Sequence, residues 1–487
     1  MSPNALAWAA LAGWPLVVLV TIATRRPTGR LARTVSWLML LSLMFLPSNL
    51  VLKVPGIPEL DKDRICVLSL AVALELFHRR PLGVAIRENL FPRLVLGLAI
   101  WGVYQTVLTN PDSLTYGPKV VPGLTAHDFP SLAVALLLDH YLPFAIGARI
   151  YRTRRDLQDL LEVMTACVLI YLPFCLVELR MSPQFNVWLY GYYPSDFLQE
   201  VRAGGYRPMV FMKHGLVVAT FVFTGFLAAL ALRRIRARLD PTTGWRLGLS
   251  GGLLVLCKSL GPIVYGVVAL VADRLLSGKR LARVLPVVSA LVLAYPVMRA
   301  AGVFPTAQLV ELAERASADR SQSLWYRFAQ EEQLLAKVRQ RPAYGWGGWN
   351  RNQVWSPWGQ VVSVTDGYWI IILGVFGYVG FAAFFLLMLT PVLRFAWYQG
   401  KMARDARVLC GALALLVTVF TIDQLPNSLP GFMPITYAGA LFTLSWRLAQ
   451  PARARRRRGA EAAAGPVPVA AQPALPVPMR PLTGEPG

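Results

Sequence analysis

Apolar runs of roughly 15–27 residues recur from one end of this chain to the other. Each is long enough to cross, or nearly cross, a hydrocarbon core about 30 Å thick. That recurrence constrains the fold more than any motif. A large soluble helical protein needs polar faces on its helices, and these runs have none. Only 15% of residues are charged, and mean hydropathy is +0.48. The predicted fold is therefore an all-α polytopic membrane protein of about 13 transmembrane helices. They fall at residues 5–23, 35–52, 65–78, 94–109, 131–150, 160–179, 208–232, 247–257, 261–276, 284–301, 367–393, 408–422 and 431–448.

Net charge is +23, a value that in a soluble protein points to nucleic acid. Here the cations sit in short loops between apolar runs, where they meet anionic lipid headgroups and set topology. No nucleic-acid partner is expected. Alternate loops carry Arg25/Arg26, Arg79/Arg80, Arg152/Arg154/Arg155, residues 233–238, Lys279/Arg280 and Lys401/Arg404/Arg407, ending in Arg453 and residues 455–458. By the positive-inside rule these loops and the C-terminus are cytoplasmic and the N-terminus lies outside. The first eight residues lack a positive n-region, so the first helix is expected to be retained rather than cleaved.

The expected organisation is N-terminal helices over residues 1–301, a large outside loop over 302–366, three further helices over 367–450, and a basic, Ala/Pro-rich tail over 451–487 without enough large apolar groups to fold. The eighth and ninth apolar runs are short and separated only by Lys258-Ser259-Leu260-Gly261, which predicts a hairpin with its tip at membrane depth. The outside loop of about 65 residues exceeds ordinary connections. Residues 307–316 and 323–339 within it have helical spacing, and the Gly/Trp-rich stretch 343–349 follows.

Polar groups on the outside face are the candidates for chemistry. Arg202 and Arg207 precede an apolar run that contains Lys213 and His214. Lys258 sits at the hairpin. Arg315, Arg320, Arg327, Arg339, Arg341 and Arg351 lie in the long loop, and Asp366 stands at its end. Guanidinium groups gathered from several loops suit phosphate or pyrophosphate, and interleaved aromatics suit the CH faces of sugars. An interfacial aromatic belt and snorkelling arginines are the plainer readings of the same residues. Asp139-His140 in the fifth run is either a buried polar pair or part of a cavity wall. Glu59, Asp61 and Asp63 are balanced by Lys53, Lys62 and Arg64, as in a solvated turn. The five cysteines lie in or beside apolar runs with no CxxC pair. No metal site and no nucleotide loop are indicated, and no cofactor is expected.

Four stretches, in order, carry a resemblance. They are residues 202–215; Lys258-Ser259-Leu260-Gly261-Pro262; residues 320–347, which end in Arg341-Pro342-Ala343-Tyr344-Gly345-Trp346-Gly347; and residues 366–380, which end in Gly377-Tyr378-Val379-Gly380. Their order and spacing resemble the O-antigen ligase and polymerase superfamily of membrane enzymes with a GT-C-type, glycosyltransferase-like fold. Two positions depart from the family pattern: Leu260 stands where an arginine is usual, and Asp366-Gly367 stands where ligases carry His-Asn. The second departure tilts the resemblance toward a polymerase.

What the resemblance implies is metal-independent, inverting polymerisation of polyprenyl-pyrophosphate-linked oligosaccharide units into O-antigen or exopolysaccharide. The place is the outer face of the bacterial inner membrane. Asp366, Arg207 and Arg327 would be catalytic. Arg202, His214, Lys258, Arg320, Trp346, Trp349 and Tyr368 would bind substrate. Membrane lipids, a chain-length regulator and a flippase would be partners. Three alternatives stay open: a ligase with a lipid or protein acceptor, a glycosyltransferase using a polyprenyl-monophosphate sugar, and a membrane transporter or flippase.

Overall fold

The computed structural model describes residues 2–24, 30–54, 57–78, 89–202, 204–236, 242–275, 278–315 and 318–451; the side chains of Arg236, Leu275, Gly278, Asp319 and Arg320 lie outside the description. The basic turns at Arg25/Arg26 and Arg79/Arg80 and the tail from residue 452 also fall outside it. The chain is about 72% helical with almost no sheet. Its helices are α1 (Ala5–Thr24), α2 (Leu31–Phe45), α3 (Lys62–Phe77), α4 (Leu90–Leu108), α5 (Asp128–Leu136), α6 (Leu142–Ile150), α7 (Arg154–Met181) and α8 (Phe185–Tyr190). They continue with α9 (Gly215–Arg236), α10 (Thr242–Leu256), α11 (Leu260–Leu275), α12 (Gly278–Ala300), α13 (Thr306–Glu314), α14 (Ala318–Gln340), α15 (Tyr368–Tyr398), α16 (Arg404–Asp423) and α17 (Phe432–Arg447). Two short antiparallel hairpins lie between helices: β1 (Leu114–Tyr116) with β2 (Lys119–Val121), and β3 (Val201–Arg202) with β4 (Gly205–Tyr206).

Among the described residues, eight helices are long and apolar enough to cross a membrane, α5 and α6 counting as one through the turn that joins them. Every interval expected to span contains a helix. Five of those helices, α2, α3, α10, α11 and α17, have only 15 or 16 residues. The core is built around α9, whose apolar window is 89% buried and which packs on α7, α10, α11 and α16. Helix α17 lies tightly along α6. A Cβ at Gly147 would overlap the Thr436 carbonyl, and one at Gly439 the Phe144 carbonyl.

The structure moves several span boundaries; the helix of the second interval, expected to reach residue 52, ends at Phe45. The seventh interval was expected to be helical from residue 208, but α9 begins at Gly215. Glu178 explains the delay. Its buried carboxylate accepts the backbone N–H groups of Met209 and Val210, both at 2.7 Å, and those of Gln184 and Phe185, both at 3.0 Å. Backbone donors held by a carboxylate are withdrawn from helix formation, and Val210 sits at φ +53°. Residues 207–214 therefore form a polar, irregular entry to α9.

The long segment between α12 and α15 carries its two expected helices, α13 and α14, and ends on a broken helix. At Gly377 (φ 63°, ψ −165°) α15 leaves helical geometry. The break frees backbone groups that residues 342–347 satisfy. Trp346 N–H donates to Gly374 O (2.9 Å), Gly347 N–H to Val375 O (2.9 Å), Tyr378 N–H to Pro342 O (2.8 Å) and Val379 N–H to Ala343 O (3.2 Å). Two of the four sequence stretches thus join at one helix break.

Candidate active site

The first two stretches also meet. The Arg207 guanidinium is 6% exposed and donates through Nη2 to Ser259 Oγ (2.9 Å) and through Nη1 to Gln199 O (3.4 Å), while its Nε is enclosed without a partner. Lys258, at φ +51° in the turn between α10 and α11, donates to Arg202 O at 3.4 Å, and a Cβ on Gly205 would overlap its amine. His214 accepts Leu216 N–H on Nδ1 at 3.0 Å. Nε2 therefore carries the ring proton and faces Gln199 Oε1 at 3.1 Å and Glu200 Oε1 at 3.4 Å. Burial, then Arg207, Arg202 and Lys213, push the His214 pKa down to about 4. Burial raises the Glu200 carboxyl, opposed by the Gly215 N–H and by Arg207. Arg202 and Arg207, with a neutral His214, thus gather at the buried Glu200 carboxylate, and Lys258 joins them through the Arg202 carbonyl.

The long loop reaches the bundle through a second polar cluster. Glu331 on α14 accepts from Tyr295 Oη (2.9 Å), Arg299 Nε (3.2 Å) and Trp369 Nε1 (3.4 Å), and Arg299 Nη2 donates to Phe328 O (3.2 Å). This clamp ties α14 to α12 and α15. One turn earlier on α14, it sets Arg327 Nε 3.4 Å from Asp366 Oδ2, both side chains being 41% exposed. Asp366 is followed by a segment pinned to the loop after α16, with Tyr368 N–H on Asn427 O (3.1 Å) and Trp369 N–H on Gln424 O (3.2 Å).

The remaining loop arginines do not gather on one anion site. Arg315 pairs with Glu311 and Arg339 with Glu332. Arg341 forks onto Asp112 (2.9 and 3.0 Å). Arg351, fully buried, donates to the carbonyls of Trp346, Asp112 and Pro122. These last two fasten the long loop to the β1–β2 loop. The side chain of Arg320 lies outside the described residues. Trp346 is 5% exposed, donates from Nε1 to Lys337 O, and lies beneath the Lys337 amine (3.9 Å) and the Arg341 guanidinium (4.3 Å). Trp349 is 68% exposed, with Nε1 at 3.3 Å from Asp128 Oδ1.

The structure also holds a cavity of about 470 Å³, and of the expected site residues only Tyr368 lines it. Asp61, Lys62, Asp63, Arg64, Asp139, His140, Lys213 and Tyr368 are among its polar lining; Leu40, Val217, Phe221, Phe420, Met433 and Ile435 are among its apolar lining. The charges at 61–64, expected to form a solvated turn, are instead part of the cavity wall. Lys62 is 9% exposed because its amine donates to Leu43 O (3.0 Å) and Leu46 O (3.2 Å), carbonyls left open where α2 ends, and to Phe211 O (3.4 Å). Arg64 holds Asp139 in a fork of 2.7 and 2.8 Å. His140, left between two readings by the sequence, lines the cavity, its Nε2 3.2 Å from Tyr368 Oη.

The chain matches no known family model and no curated protein.

Proposed function

We propose that this chain is a membrane glycosyltransferase. In this reading it joins polyprenyl-pyrophosphate-linked oligosaccharide units into O-antigen or exopolysaccharide at the outer face of the bacterial inner membrane, on about 13 spans of GT-C type. The observation that carries the reading is the cavity of about 470 Å³, within the size range of small-molecule sites. It has charged and apolar walls, and is bordered by the residues ahead of α9 on one side and by the start of α15 on the other. A lipid-linked glycan needs such a mixed environment, apolar for the carrier and polar for pyrophosphate and sugar.

In this reading Arg207, Lys258 and Arg202 meet the pyrophosphate. Charge grows on the bridging oxygen as the anomeric C–O bond breaks, and fixed cations in a partly dry site stabilise it by several kcal/mol. Asp366 orients the attacking hydroxyl, and Arg327 holds the carboxylate in place. Direct attack without a covalent intermediate inverts the anomeric centre.

The test is glycan analysis in the native host, comparing wild type, a deletion, Asp366→Ala and Arg207→Ala at equal protein level in the membrane. Single lipid-linked units with no long chains support polymerisation. Long chains that stay on the carrier indicate ligation to a final acceptor. Unchanged glycan in the deletion refutes glycosyl transfer and favours transport.

One observation favours a second reading. Asp61 and Asp63 line the cavity, as acidic first-loop residues would in a glycosyltransferase that takes a polyprenyl-monophosphate sugar. Activity lost in Asp63→Asn but kept in Arg207→Ala would select it.

A further inference from the structure

We propose that Tyr368 is the group that takes the proton from the attacking hydroxyl, with His140 behind it as the positioning residue that finally holds that proton. This rests on the glycosyl-transfer reading above and names the proton path within the same site. The geometry comes from three elements. Between α5 and α6, residues Leu137–Tyr141 form a π-turn in which Leu142 N–H donates to Leu137 O, five residues back. Pro143, just beyond, has no N–H and in a regular helix its ring would press on the carbonyl of Asp139. The extra residue per turn re-aims Asp139 and His140, and such bulges concentrate at functional sites.

Both residues line the large cavity, and so does Tyr368 from the start of α15. Arg64 of α3 grips Asp139 by two bonds. The His140 ring packs edge-on against Phe384, ring centres 5.2 Å apart, and Phe384 packs in the same way against Tyr368 at 5.2 Å. The two partners are therefore held by shared packing as well as by their 3.2 Å hydrogen bond. Asp366 is already engaged, its Oδ2 3.4 Å from Arg327 Nε. Lys62 and Arg64 are engaged as donors. The charged groups that share the cavity with His140 are Asp139 beside it, Asp61, Lys62, Asp63 and Arg64 at the start of α3, and Lys213 ahead of α9.

The step balances as follows. The acceptor hydroxyl oxygen attacks the anomeric carbon of a polyprenyl-pyrophosphate-linked sugar while the bond to the phosphate oxygen breaks. The polyprenyl pyrophosphate leaves with that electron pair. The hydroxyl proton passes to the Tyr368 oxygen as Tyr368 gives its own proton to His140 Nε2. Imidazolium and pyrophosphate are left, and water later takes the proton.

The test uses right-side-out membrane vesicles of the native host, whose outer face meets the medium. It measures how fast the host's own lipid-linked repeat units are joined, between about pH 5 and pH 8, where an imidazole titrates. The hosts are a deletion strain and that strain carrying wild type, Tyr368→Phe or His140→Gln, each normalised to protein in the membrane. Tyr368→Phe keeps the ring and its packing. Its rate falls about 100-fold if the hydroxyl relays the proton, the lower end for a positioned acid–base group. His140→Gln, which keeps a hydrogen bond but cannot take a proton, loses a similar factor and also the decline toward acid pH expected of wild type. If joining is lost in the deletion but both variants stay within about threefold of wild type, below the usual range for such a group, the relay is wrong and the glycosyl-transfer reading survives. If the deletion joins units normally, both fail.

Discussion

Gly377→Ala tests whether the helix break is the seat of the long loop. At φ 63° and ψ −165° this residue occupies a region open essentially only to glycine, and an L-residue there costs about 1–3 kcal/mol. The added methyl would also overlap the carbonyl of Ala343 and lie 2.5 Å from Tyr344 N. To relieve that, residues 342–347 must lift off α15, breaking hydrogen bonds of 2.8–3.2 Å between the two segments. Each is worth about 1 kcal/mol net. With some of the four re-formed to water, the total loss is about 3–6 kcal/mol. Purified protein in detergent would be unfolded thermally and followed by retention on size exclusion. Gly97→Ala is the control, since a Cβ there meets nothing within 4 Å and α4 gains helix propensity. Trypsin gives a local readout: Arg351, fully buried and bound to three carbonyls, becomes cleavable once the loop lifts. If Gly377→Ala unfolds at the same temperature as wild type and Gly97→Ala, with Arg351 still protected, the loop is not anchored at the break.

Glu331→Ala leaves Arg299, 6% exposed, without its main partner; we expect about 3–5 kcal/mol of lost stability by detergent melting, and lost glycan joining as Arg327 drifts from Asp366. The pair Arg299→Met/Glu331→Leu should recover much of that stability, because no charge is then left buried. For His214, the folded pKa of about 4 lies below the ordinary 6.5, so the unfolded chain binds the proton first. Its contribution to stability is complete above about pH 6.5 and is lost as pH falls through about 4; His214→Gln should show a shallower loss of melting temperature over that window. Arg341→Ala leaves Asp112 with Arg351 alone and should raise proteolysis of the long loop while leaving α1–α3 protected, as mapped by limited trypsin digestion.

Much of the fold was legible because lipid-facing helices announce themselves by length and apolarity, and the charge-bearing loops fall between them. The two helices of the long loop, α13 and α14, were legible from spacing alone. What resisted was anything decided by contacts distant in sequence. The start of α9 moved to Gly215 because Glu178, more than thirty residues earlier, holds the N–H groups of Met209 and Val210. Nothing in the local run of apolar residues after Pro208 signals that. The clustering of Arg202, Arg207, His214 and Lys258 was legible as residue types but not as a place, since it depends on Ser259 and Arg207 meeting across two loops.

The cavity shows most clearly why alternating charge misleads at a membrane boundary. In sequence, Asp61-Lys62-Asp63-Arg64 neutralises itself, and self-neutralising charge in a short loop ordinarily means water. Yet α2 ends at Phe45, which leaves the carbonyls of Leu43 and Leu46 in need of donors. A lysine one helix later satisfies them, and cations are favoured at helix C-termini. Once Lys62 is drawn inward, Arg64 is carried to Asp139 on the π-turn. Asp139 and His140 then need no outside charge to be tolerated within an apolar helix. One unmet helix end thus accounts for a chain of polar placements that runs from α2 through α3 to the wall where His140 meets Tyr368. Lys62→Met tests that logic: it should disturb the Arg64–Asp139 pair and glycan joining together, although the Lys62 amine bonds only to the Leu43, Leu46 and Phe211 carbonyls.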